Sequence, residues 1–474
     1  MIPNIGLEVH AQLRTSSKIF CGCAAAFGAE PNTHVCPVCL GLPGALPVLN
    51  ARAVEFALRA ALAFGCTIHP ISRFARKHYF YPDLPKGYQI SQYDEPLATG
   101  GAVTVATGPG SRSIGLVRIH MEEDAGKSIH LGEDGTAVDF NRSGVGLIEI
   151  VTAPEIDSAA LAAACFSRIR DVLVALGVND GNMEEGSLRC DANVSIRGDA
   201  SAPLGVKTEV KNINSFRFVQ RAVEFEIERQ AAMLSIGRMI EPETRLWDPG
   251  SGKTVPMRDK EGAEDYRYFP EPDLQPLVVS ADWITTVRGS MPEMPEARRE
   301  RFIRQYGLPD YDAGVLTQSP ALADYYEATA AASGSPKAAS NWIMVEALGR
   351  LNAVGHLITD LRITPEAMAG LIRLVESGRI TGPTAKAVFD QMFAEGGDAA
   401  AIVAAGGLAR VDDDEAIEAT VRDTLARHPV PVEQYRTGKR QAFGFLVGQV
   451  MKASGGRTDP AKASAAIRRI LDSE

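Results

Sequence analysis

Residues 5–13 read Ile-Gly-Leu-Glu-Val-His-Ala-Gln-Leu, with apolar side chains at every odd-numbered position. A repeat of two residues is typical of a β-strand, because successive side chains point to opposite faces of a sheet. The stretch therefore predicts a strand with one face on a hydrophobic core. Its other face carries two groups with chemistry, Glu8 and His10.

The same alternation returns at residues 188–197 and, with alternating charges, at 206–211. Antiparallel sheets that cover a core with one face have this pattern, whereas the strands of parallel doubly wound sheets are apolar almost throughout. Two segments with apolar residues at helical spacing, 158–176 and about 215–234, lie among the strands. The first part of the chain is therefore predicted to be a mainly antiparallel sheet with helices.

The pattern changes near residue 291, where 291–295 read Met-Pro-Glu-Met-Pro and resemble a linker. The chain that follows is rich in alanine, helical in period and almost without strand patterns. A pair of glycines at 406–407 suggests one further boundary. We therefore predict an α+β protein with a sheet domain at 1–290, a helical domain at 291–404 and a small helical tail at 405–474.

Length and composition are those of an ordinary globular protein with more than one core. The chain has 474 residues, of which 45% are hydrophobic and 23% charged. No run approaches the roughly 18 uncharged apolar residues of a membrane span, and Met1 leads straight into a strand pattern instead of a signal peptide. We expect a cytoplasmic protein that does not enter a membrane.

The tail is the basic end of an acidic chain. Lys and Arg number 49 against 59 Asp and Glu, and the net charge of −10 argues against nucleic-acid binding by the whole surface. Residues 431–474 hold eight Lys or Arg and four Asp or Glu, a net charge of +4, whereas 291–430 hold 13 and 20, a net charge of −7. The tail is therefore the candidate for a local basic patch.

Two pairs of cysteines, Cys21 with Cys23 and Cys36 with Cys39, are separated by twelve residues. Disulfides are disfavoured, because the chain holds seven cysteines, an odd number, and cytosolic thiols stay reduced. Four thiolates in two close pairs suit a tetrahedral structural zinc. We predict one structural Zn²⁺; the alternative is that these cysteines are small buried side chains.

Acidic residues in strand-like segments indicate a second kind of metal site. Glu149 is the only polar residue in the apolar run 147–151, and a lone buried carboxylate is costly unless it is paired or binds a metal. Glu122 and Glu123 end another strand-like run, beside His120. Carboxylates from several strands suit Mg²⁺ bound to substrate phosphates, and the sequence has no P-loop or dinucleotide-binding glycine motif. The alternative is a set of solvated strand faces.

Aromatic residues interleave with bases in the segment 77–93, which contains Lys77 and Lys86. The five rings are Tyr79, Phe80, Tyr81, Tyr88 and Tyr93. Such rings can stack on unpaired nucleotide bases while the lysines hold phosphates. They can equally be core residues under a loop, and the sequence does not separate the two interpretations.

Six motifs together identify a family resemblance that runs over almost the whole chain. They are GLEVH at 6–10, VCPVCLGLPG at 35–44, YFYPDLPKGYQISQ at 79–92, HMEEDAGK at 120–127, MEEGS at 183–187 and DYRYFP at 265–270. The chain resembles the B subunits of aspartyl/glutamyl-tRNA amidotransferases. One departure is Gly146, where the family commonly has proline.

The resemblance implies a catalytic cradle at 1–290 related to the glutamine synthetase fold, followed by the helical parts. It also implies an ATP-dependent ligase that binds tRNA mischarged with Glu or Asp and phosphorylates the side-chain carboxylate with ATP and Mg²⁺. Ammonia would come from an amidase A subunit, with a small C subunit completing a heterotrimer. Phosphorylation is needed because a carboxylate resists attack by ammonia.

The resemblance also implies site residues. The magnesium site would fall on His10, Glu123 and Glu149, with Glu8 close by, although strand alternation alone favours Glu122 over Glu123 and histidine is an unusual ligand for Mg²⁺. Contacts to the nucleotide are expected from Lys77, Glu209 and Lys211. Contacts to tRNA are expected from the bases that flank the apolar segment 443–450, namely Arg436, Lys439, Arg440, Lys452 and Arg457.

Two other functions stay open from the sequence. The chain could be a non-catalytic tRNA-binding or assembly subunit whose acids only hold the fold. It could also be a free-standing ligase that acts on a small amino acid, but such a substrate needs no basic tail. Binding of ATP with a divalent cation distinguishes a catalytic subunit from a scaffold.

Overall fold

A computed structural model describes residues 1–108, 110–131, 135–257, 266–411 and 413–473. Asp265 of the last family motif lies outside these ranges. The chain divides into two compact units, Met1–Met294 and Pro295–Glu474. The first unit contains the strands and the second is helical, so the predicted α+β class is confirmed. The predicted domain limits at 290 and 404 stay predictions.

The first unit is built on strands of very different length. They are β1 Ile2–Gln12, β2 Thr67–Ile68, β3 Ile71–Ser72, β4 Ala75–His78, β5 Tyr88–Ser91, β6 Ala98–Thr99, β7 Ala102–Thr107, β8 Gly110–Glu123, β9 Lys127–His130, β10 Thr136–Asp139, β11 Gly146–Thr152, β12 Leu188–Arg197, β13 Thr208–Ile213, β14 Glu243–Asp248, β15 Lys253–Pro256, β16 Phe269–Pro270 and β17 Leu277–Val278. Short strands β3, β4, β5, β9, β10, β16 and β17 form small separate sheets.

The remaining strands form one ten-stranded sheet in the order β15-β14-β13-β12-β1-β11-β8-β6-β2, with β7 paired to β8. Strand β1 lies at the centre and pairs antiparallel with both β11 and β12. The prediction of a mainly antiparallel sheet is therefore confirmed. The exception is the parallel pair β13–β14. The helix between these two strands carries the chain back along the sheet, so β14 runs in the same direction as β13.

The two faces of the sheet differ as the alternation predicts. On one face the apolar side chains of β1 pack with those of its neighbours, such as Ile148 of β11, Ile119 of β8 and Val194 of β12, all fully buried. The helices of the first unit contribute Val54, Phe166 and Val223 to the same cluster. The opposite face carries the polar residues of the central strands and forms the candidate site.

The helices of the first unit are α1 Ala51–Ala63, α2 Ala159–Ala175, α3 Phe216–Ser235 and α4 Ala281–Gly289. Those of the second are α5 Pro295–Tyr306, α6 Asp310–Leu316, α7 Pro320–Ser333, α8 Pro336–Asn341, α9 Leu348–Val354, α10 Pro365–Glu376, α11 Gly382–Glu395, α12 Ala399–Ala405, α13 Asp414–Arg427, α14 Pro429–Arg436, α15 Gln441–Ala453 and α16 Pro460–Ser473. A π-helical turn, Trp342–Ala347, joins α8 to α9. The two helices predicted from apolar spacing in the first unit correspond to α2 and α3.

The second unit holds two hydrophobic clusters. One is formed by buried residues between Phe302 and Val403, and the other by residues between Ile417 and Leu471. Helix α15 contributes Leu446 and Val450 to the second cluster. No helix within the described ranges has the length and apolar character to span a membrane.

Helix α3 begins where a serine caps it. Ser215 has an extended backbone, and its hydroxyl accepts a hydrogen bond from the N–H of Phe218. We expect Ser215→Ala to weaken the first turn by about 1 kcal/mol, because the partly buried N–H of Phe218 loses its acceptor. Hydrogen exchange of the α3 amides should then be about fivefold faster. Ser235→Ala, at the other end of the helix, is the control, and equal exchange in both variants contradicts the capping role.

Candidate functional site

Three neighbouring strands bring four ligand-type side chains together on the polar face. The register pairs His10 of β1 with Glu149 of β11, and Glu149 in turn with His120 of β8. The Oε2 atom of Glu149 lies 3.5 Å from Nε2 of His10 and 3.3 Å from Nε2 of His120. Glu122, two residues beyond His120, points to the same face, and its Oε2 is 4.0 Å from Nε2 of His120.

The ionised form of Glu149 and the protonated form of His10 stabilise each other electrostatically. Burial disfavours the ionised form of Glu149, but attraction to His120 and His10 outweighs it and holds the pKa of Glu149 well below its usual range. Burial disfavours protonated His10, but Glu149 outweighs this and raises the pKa of His10. Glu8 lies on the same face, and burial together with Glu149 and Glu209 raises its pKa. The site concentrates negative charge where a cation would relieve it.

A divalent cation fits the donor set of this group. One ligand atom each from His10, Glu122 and Glu149 lie within 4.8 Å of one another. The buried Oε2 of Glu122 has no hydrogen-bond partner within the described chain, so it offers a free acceptor. Carboxylate oxygens suit Mg²⁺, and an imidazole nitrogen is more typical of Mn²⁺ or Zn²⁺, so the set accepts a divalent cation without being specific for magnesium.

The structure places the carboxylate of Glu123 apart from the group of His10, Glu122 and Glu149, and its role as a magnesium ligand stays a prediction. Its carboxylate accepts hydrogen bonds from Nζ of Lys86 and, at 2.8 Å, from the backbone N–H of Ile90. The reason is strand alternation, which turns consecutive residues of β8 to opposite sides. Glu122 takes the position that the family resemblance gave to Glu123, as the sequence pattern alone favoured.

The three residues predicted to contact the nucleotide lie near this group. Nζ of Lys77 on β4 is 3.7 Å from Oε2 of Glu122. Lys211 of β13 binds Asp191 at 3.1 Å and Glu209 at 2.8 Å. Burial opposes the charged form of Lys211, yet Asp191 and Glu209 raise its pKa, so the ammonium is held on the polar face. Their predicted role in binding stays a prediction.

An arginine–aspartate pair that the sequence analysis did not single out lies beside the group. Arg189 of β12 stands directly opposite His10 in the register. Its Nη2 donates a hydrogen bond of 2.8 Å to Oδ2 of Asp124, which also accepts one of 2.7 Å from Nε2 of Gln12. Burial opposes the charged form of Asp124, but Arg189 and Arg142 lower its pKa. The sequence signal was an arginine on the polar face of a strand predicted to alternate.

The aromatic segment is more exposed than a core would be. Phe80 is 87% exposed, and Tyr81 and Tyr93 are also on the surface. Tyr93 stacks on Tyr268 with ring centroids 4.1 Å apart and planes 4° from parallel. Lys77 lies over the ring of Tyr266 at 5.1 Å. These exposures favour the interpretation that rings of this segment are available for stacking.

The four cysteines form a compact cluster. Their sulfurs all lie within 4.8 Å of one another, and Sγ of Cys36 and Cys39 are 3.9 Å apart. Sulfurs of a tetrahedral zinc site with bonds of about 2.3 Å stand about 3.8 Å apart, so the geometry fits Zn²⁺. A hydrogen bond from Cys21 lowers the pKa of Cys39 to about 4, whereas burial raises the pKa of Cys23 to about 11.

A buried lysine supports the thiolate character of the cluster. Lys18 is fully buried, and its Nζ lies 3.6 Å from Sγ of Cys39 and donates a hydrogen bond of 2.7 Å to the carbonyl of His34. Within the described chain it has no carboxylate partner. An uncompensated buried ammonium is costly, and thiolates bound to a metal would balance its charge.

The predicted tRNA contacts surround α15 of the second unit. Lys439 and Arg440 are exposed just before its first residue, and Lys452 is exposed in its last turn. Arg436 is exposed at the end of α14. Arg457 differs, because its guanidinium donates hydrogen bonds of 3.0 Å to the carbonyls of Gly407 and Ser454. It therefore helps to hold the tail together.

Comparison with known proteins gives the family. A model described as "GatB/GatE catalytic domain" matches residues 3–285, and a second described as "GatB domain" matches residues 324–471. The chain belongs to the GatB family. The similarity of this GatB-family chain to curated relatives is also nearly complete in length.

Three curated relatives share one name, which makes each of them the B subunit of an aspartyl/glutamyl-tRNA(Asn/Gln) amidotransferase. The protein from Trichlorobacter lovleyi is 52% identical over 469 residues, which cover 99% of both chains. The protein from Thermodesulfovibrio yellowstonii is 52% identical over 467 residues, 98% of both chains. The protein from Myxococcus xanthus is 52% identical over 470 residues, 99% of this chain and 98% of its own. The resemblance inferred from the six motifs is confirmed.

We expect Cys36→Ser to remove stoichiometric zinc from the GatB-family chain and to lower its stability by about 3 kcal/mol, because the loop between the two pairs loses its cross-link. Elemental analysis and thermal unfolding measure the two effects. Cys66→Ser, at a half-buried cysteine outside the cluster, is the matched control. Metal content and stability equal to those of the control rule out a structural zinc.

Proposed function

We propose that this GatB-family chain is the amidotransferase subunit that activates the side-chain carboxylate of Glu-tRNA(Gln) or Asp-tRNA(Asn). It transfers the γ-phosphoryl group of ATP to that carboxylate, and ammonia then displaces phosphate to leave the amide. The observation that carries the proposal is the convergence of His10, Glu122 and Glu149 on one polar face. The curated relatives' name supplies the tRNA substrate.

The residues around the group have distinct roles in this reaction. A divalent cation bound there would neutralise phosphate charge and align the γ-phosphoryl group with the attacking oxygen. His10, Glu122 and Glu149 would hold that cation, and Glu8 would stand beside it. Lys77 and Lys211 present ammonium groups on the same face and would bind nucleotide phosphates, with Glu209 orienting Lys211.

The other members of the complex are inferred from the family. Because the curated relatives are named as B subunits, we infer an amidase A subunit as the ammonia source and a small C subunit that completes a cytoplasmic heterotrimer. The zinc cluster would fix the loop 21–39 near the site. Its four thiolates leave no open position for a substrate, so its role would be structural.

The tail would bind the tRNA body. Lys439 and Arg440 lie at the N-terminus of α15, where the helix dipole is already positive, so this arrangement is unfavourable without an anion. Neither side chain makes an ion pair with any residue in the described part of the chain. Phosphates of tRNA would satisfy both, which supports the tail as a second binding surface.

A non-catalytic assembly subunit is the second candidate. Its support is that ion pairs such as Lys86–Glu123 and Lys211–Asp191 do stabilise the fold of the polar face. It accounts less well for Glu122, whose buried Oε2 has no hydrogen-bond partner within the described chain. A scaffold needs no ATP and no divalent cation.

We expect Glu122→Gln and Glu149→Gln, in the chain assembled with its partner subunits, to lower ATP-dependent amidation by at least about 100-fold. Each variant removes an anionic ligand, and loss of electrostatic stabilisation of this kind costs about 3–4 kcal/mol. Glutamine hydrolysis should be unchanged, because on this proposal the amidase subunit carries it out. Mn²⁺ binding followed by electron paramagnetic resonance should weaken in parallel.

Glu123→Gln is the matched control for Glu122→Gln, since it changes the adjacent acid on the opposite side of the strand. It should keep Mn²⁺ affinity within about twofold and instead lower thermal stability, because Lys86 is left buried without its partner. Normal Mn²⁺ affinity in Glu122→Gln together with a loss in Glu123→Gln would move the metal site to the other side of β8.

We expect the triple variant Lys439→Ala, Lys452→Ala and Arg440→Ala to weaken binding of both mischarged tRNAs alike. Each lost phosphate contact should lower the slope of log K against log salt by about 0.7–0.9. ATP binding should not change. Arg457→Ala removes a base that is hydrogen-bonded within the tail, and it should mainly destabilise the tail. An unchanged salt slope in the triple variant locates tRNA recognition elsewhere.

A further inference from the structure

The cations of the polar face differ in how far their charge is already balanced. Lys77 stands beside the single carboxylate of Glu122, and Lys211 is bound by two carboxylates, Asp191 and Glu209. The third cation is Arg189, whose side chain is 35% exposed. Its ion-pair partner within the described chain also lies close to a second arginine.

That shared carboxylate is Asp124. It lies 2.8 Å from Nη2 of Arg189 and 3.8 Å from Nε of Arg142, so one negative charge faces two positive ones. The guanidinium of Arg142 also donates hydrogen bonds of 2.9 and 2.6 Å to the carbonyls of Ala125 and Gly126. Arg142 is therefore committed to the loop after β8. Arg189 keeps its positive charge, with Asp124, Asp191 and Glu122 as acidic neighbours.

The position of Arg189 puts this charge next to the cation-binding group. It is the direct neighbour of His10 across β1 and β12, and both side chains project from the polar face. Within the described chain only Nη2 of its guanidinium donates a hydrogen bond, so the N–H groups of Nη1 are without a partner, whereas the unpartnered Nε is buried.

We propose that Arg189 binds the phosphoryl group while it is transferred, with Asp124 holding the guanidinium in position. This inference rests on the proposed function and adds a catalytic residue to it. A planar guanidinium whose Nη1 has no partner in the described chain can donate to the oxygens of a phosphoryl group. A divalent cation and this arginine would together neutralise the charge of that group.

In the transfer step, a carboxylate oxygen of the aminoacyl side chain forms a bond to the γ-phosphorus of ATP. The bond from that phosphorus to the β,γ-bridging oxygen breaks, and its electron pair leaves with ADP. The three non-bridging oxygens of the phosphoryl group carry the charge that Arg189 stabilises. Ammonia then attacks the acyl carbon, phosphate leaves with the carbon–oxygen bonding pair, and the nitrogen loses a proton.

The test uses the full chain assembled with its partner subunits and mischarged tRNA, without glutamine or ammonia. Single-turnover release of ADP should be at least about 100-fold slower in Arg189→Lys, which keeps a positive charge but loses the planar fork. Affinity for ADP with aluminium fluoride, a mimic of the phosphoryl group in transfer, should fall at least about 50-fold. Affinity for ADP alone and for Mn²⁺ should stay within about twofold.

Arg197→Lys is the matched control. Arg197 lies on the same face of the same strand, about 26 Å away, and its buried Nε likewise has no partner in the described chain. If Arg189→Lys does not fold, Arg189→Met gives the same comparison, because methionine keeps the aliphatic part of the side chain in the sheet.

The outcomes separate this inference from the function on which it rests. Arg189→Lys with ADP release and aluminium fluoride affinity within about threefold of the Arg197→Lys control overturns the role of Arg189 alone. Wild-type complex that releases no ADP with mischarged tRNA overturns the proposed function, and the inference with it. Equal losses for ADP, Mn²⁺ and aluminium fluoride assign Arg189 to the fold and also overturn its catalytic role.

Discussion

The buried carboxylate of Glu149, held between two imidazoles, is the constraint on which the polar face depends. Its partners come from the two strands that flank β11, so the contact exists only when β1, β11 and β8 are all in register. A slip of one residue would turn Glu149 into the hydrophobic core and bring Ile148 or Ile150 out. The same register thus fixes both the core and the site.

Much of this arrangement could be predicted from the sequence because it follows from the two-residue alternation of side chains along a β-strand. The alternation at 5–13 gave the correct face for Glu8 and His10, and the same rule separates Glu122 from Glu123. Apolar spacing gave α2 and α3, since each buries one side on the sheet. The family resemblance alone favoured Glu123, because residue-by-residue transfer does not consider which way the strand turns a side chain.

The remaining features depend on contacts between residues far apart in the chain. Arg189 and Asp124 are 65 residues apart, and no local pattern in either segment indicates their pairing. The parallel pairing of β13 with β14 likewise depends on the path of α3 and not on either strand's composition. Arg457 donates a hydrogen bond to the carbonyl of Gly407, 50 residues away. The sequence alone does not distinguish Arg457 from the exposed bases near it.

The central position of β1 has a consequence for the order of assembly on the ribosome. This strand is synthesised long before its neighbours. The backbone N–H of Leu7 donates a hydrogen bond to the hydroxyl of Thr152, 145 residues later in the chain, and the side chain of Asn193 donates one to the carboxylate of Glu8 across 185 residues. Its apolar face therefore stays without its final partners until β11 and β12 have been synthesised. Such distant pairing folds slowly, so the nascent first unit offers chaperones a prolonged interval of exposed hydrophobic surface.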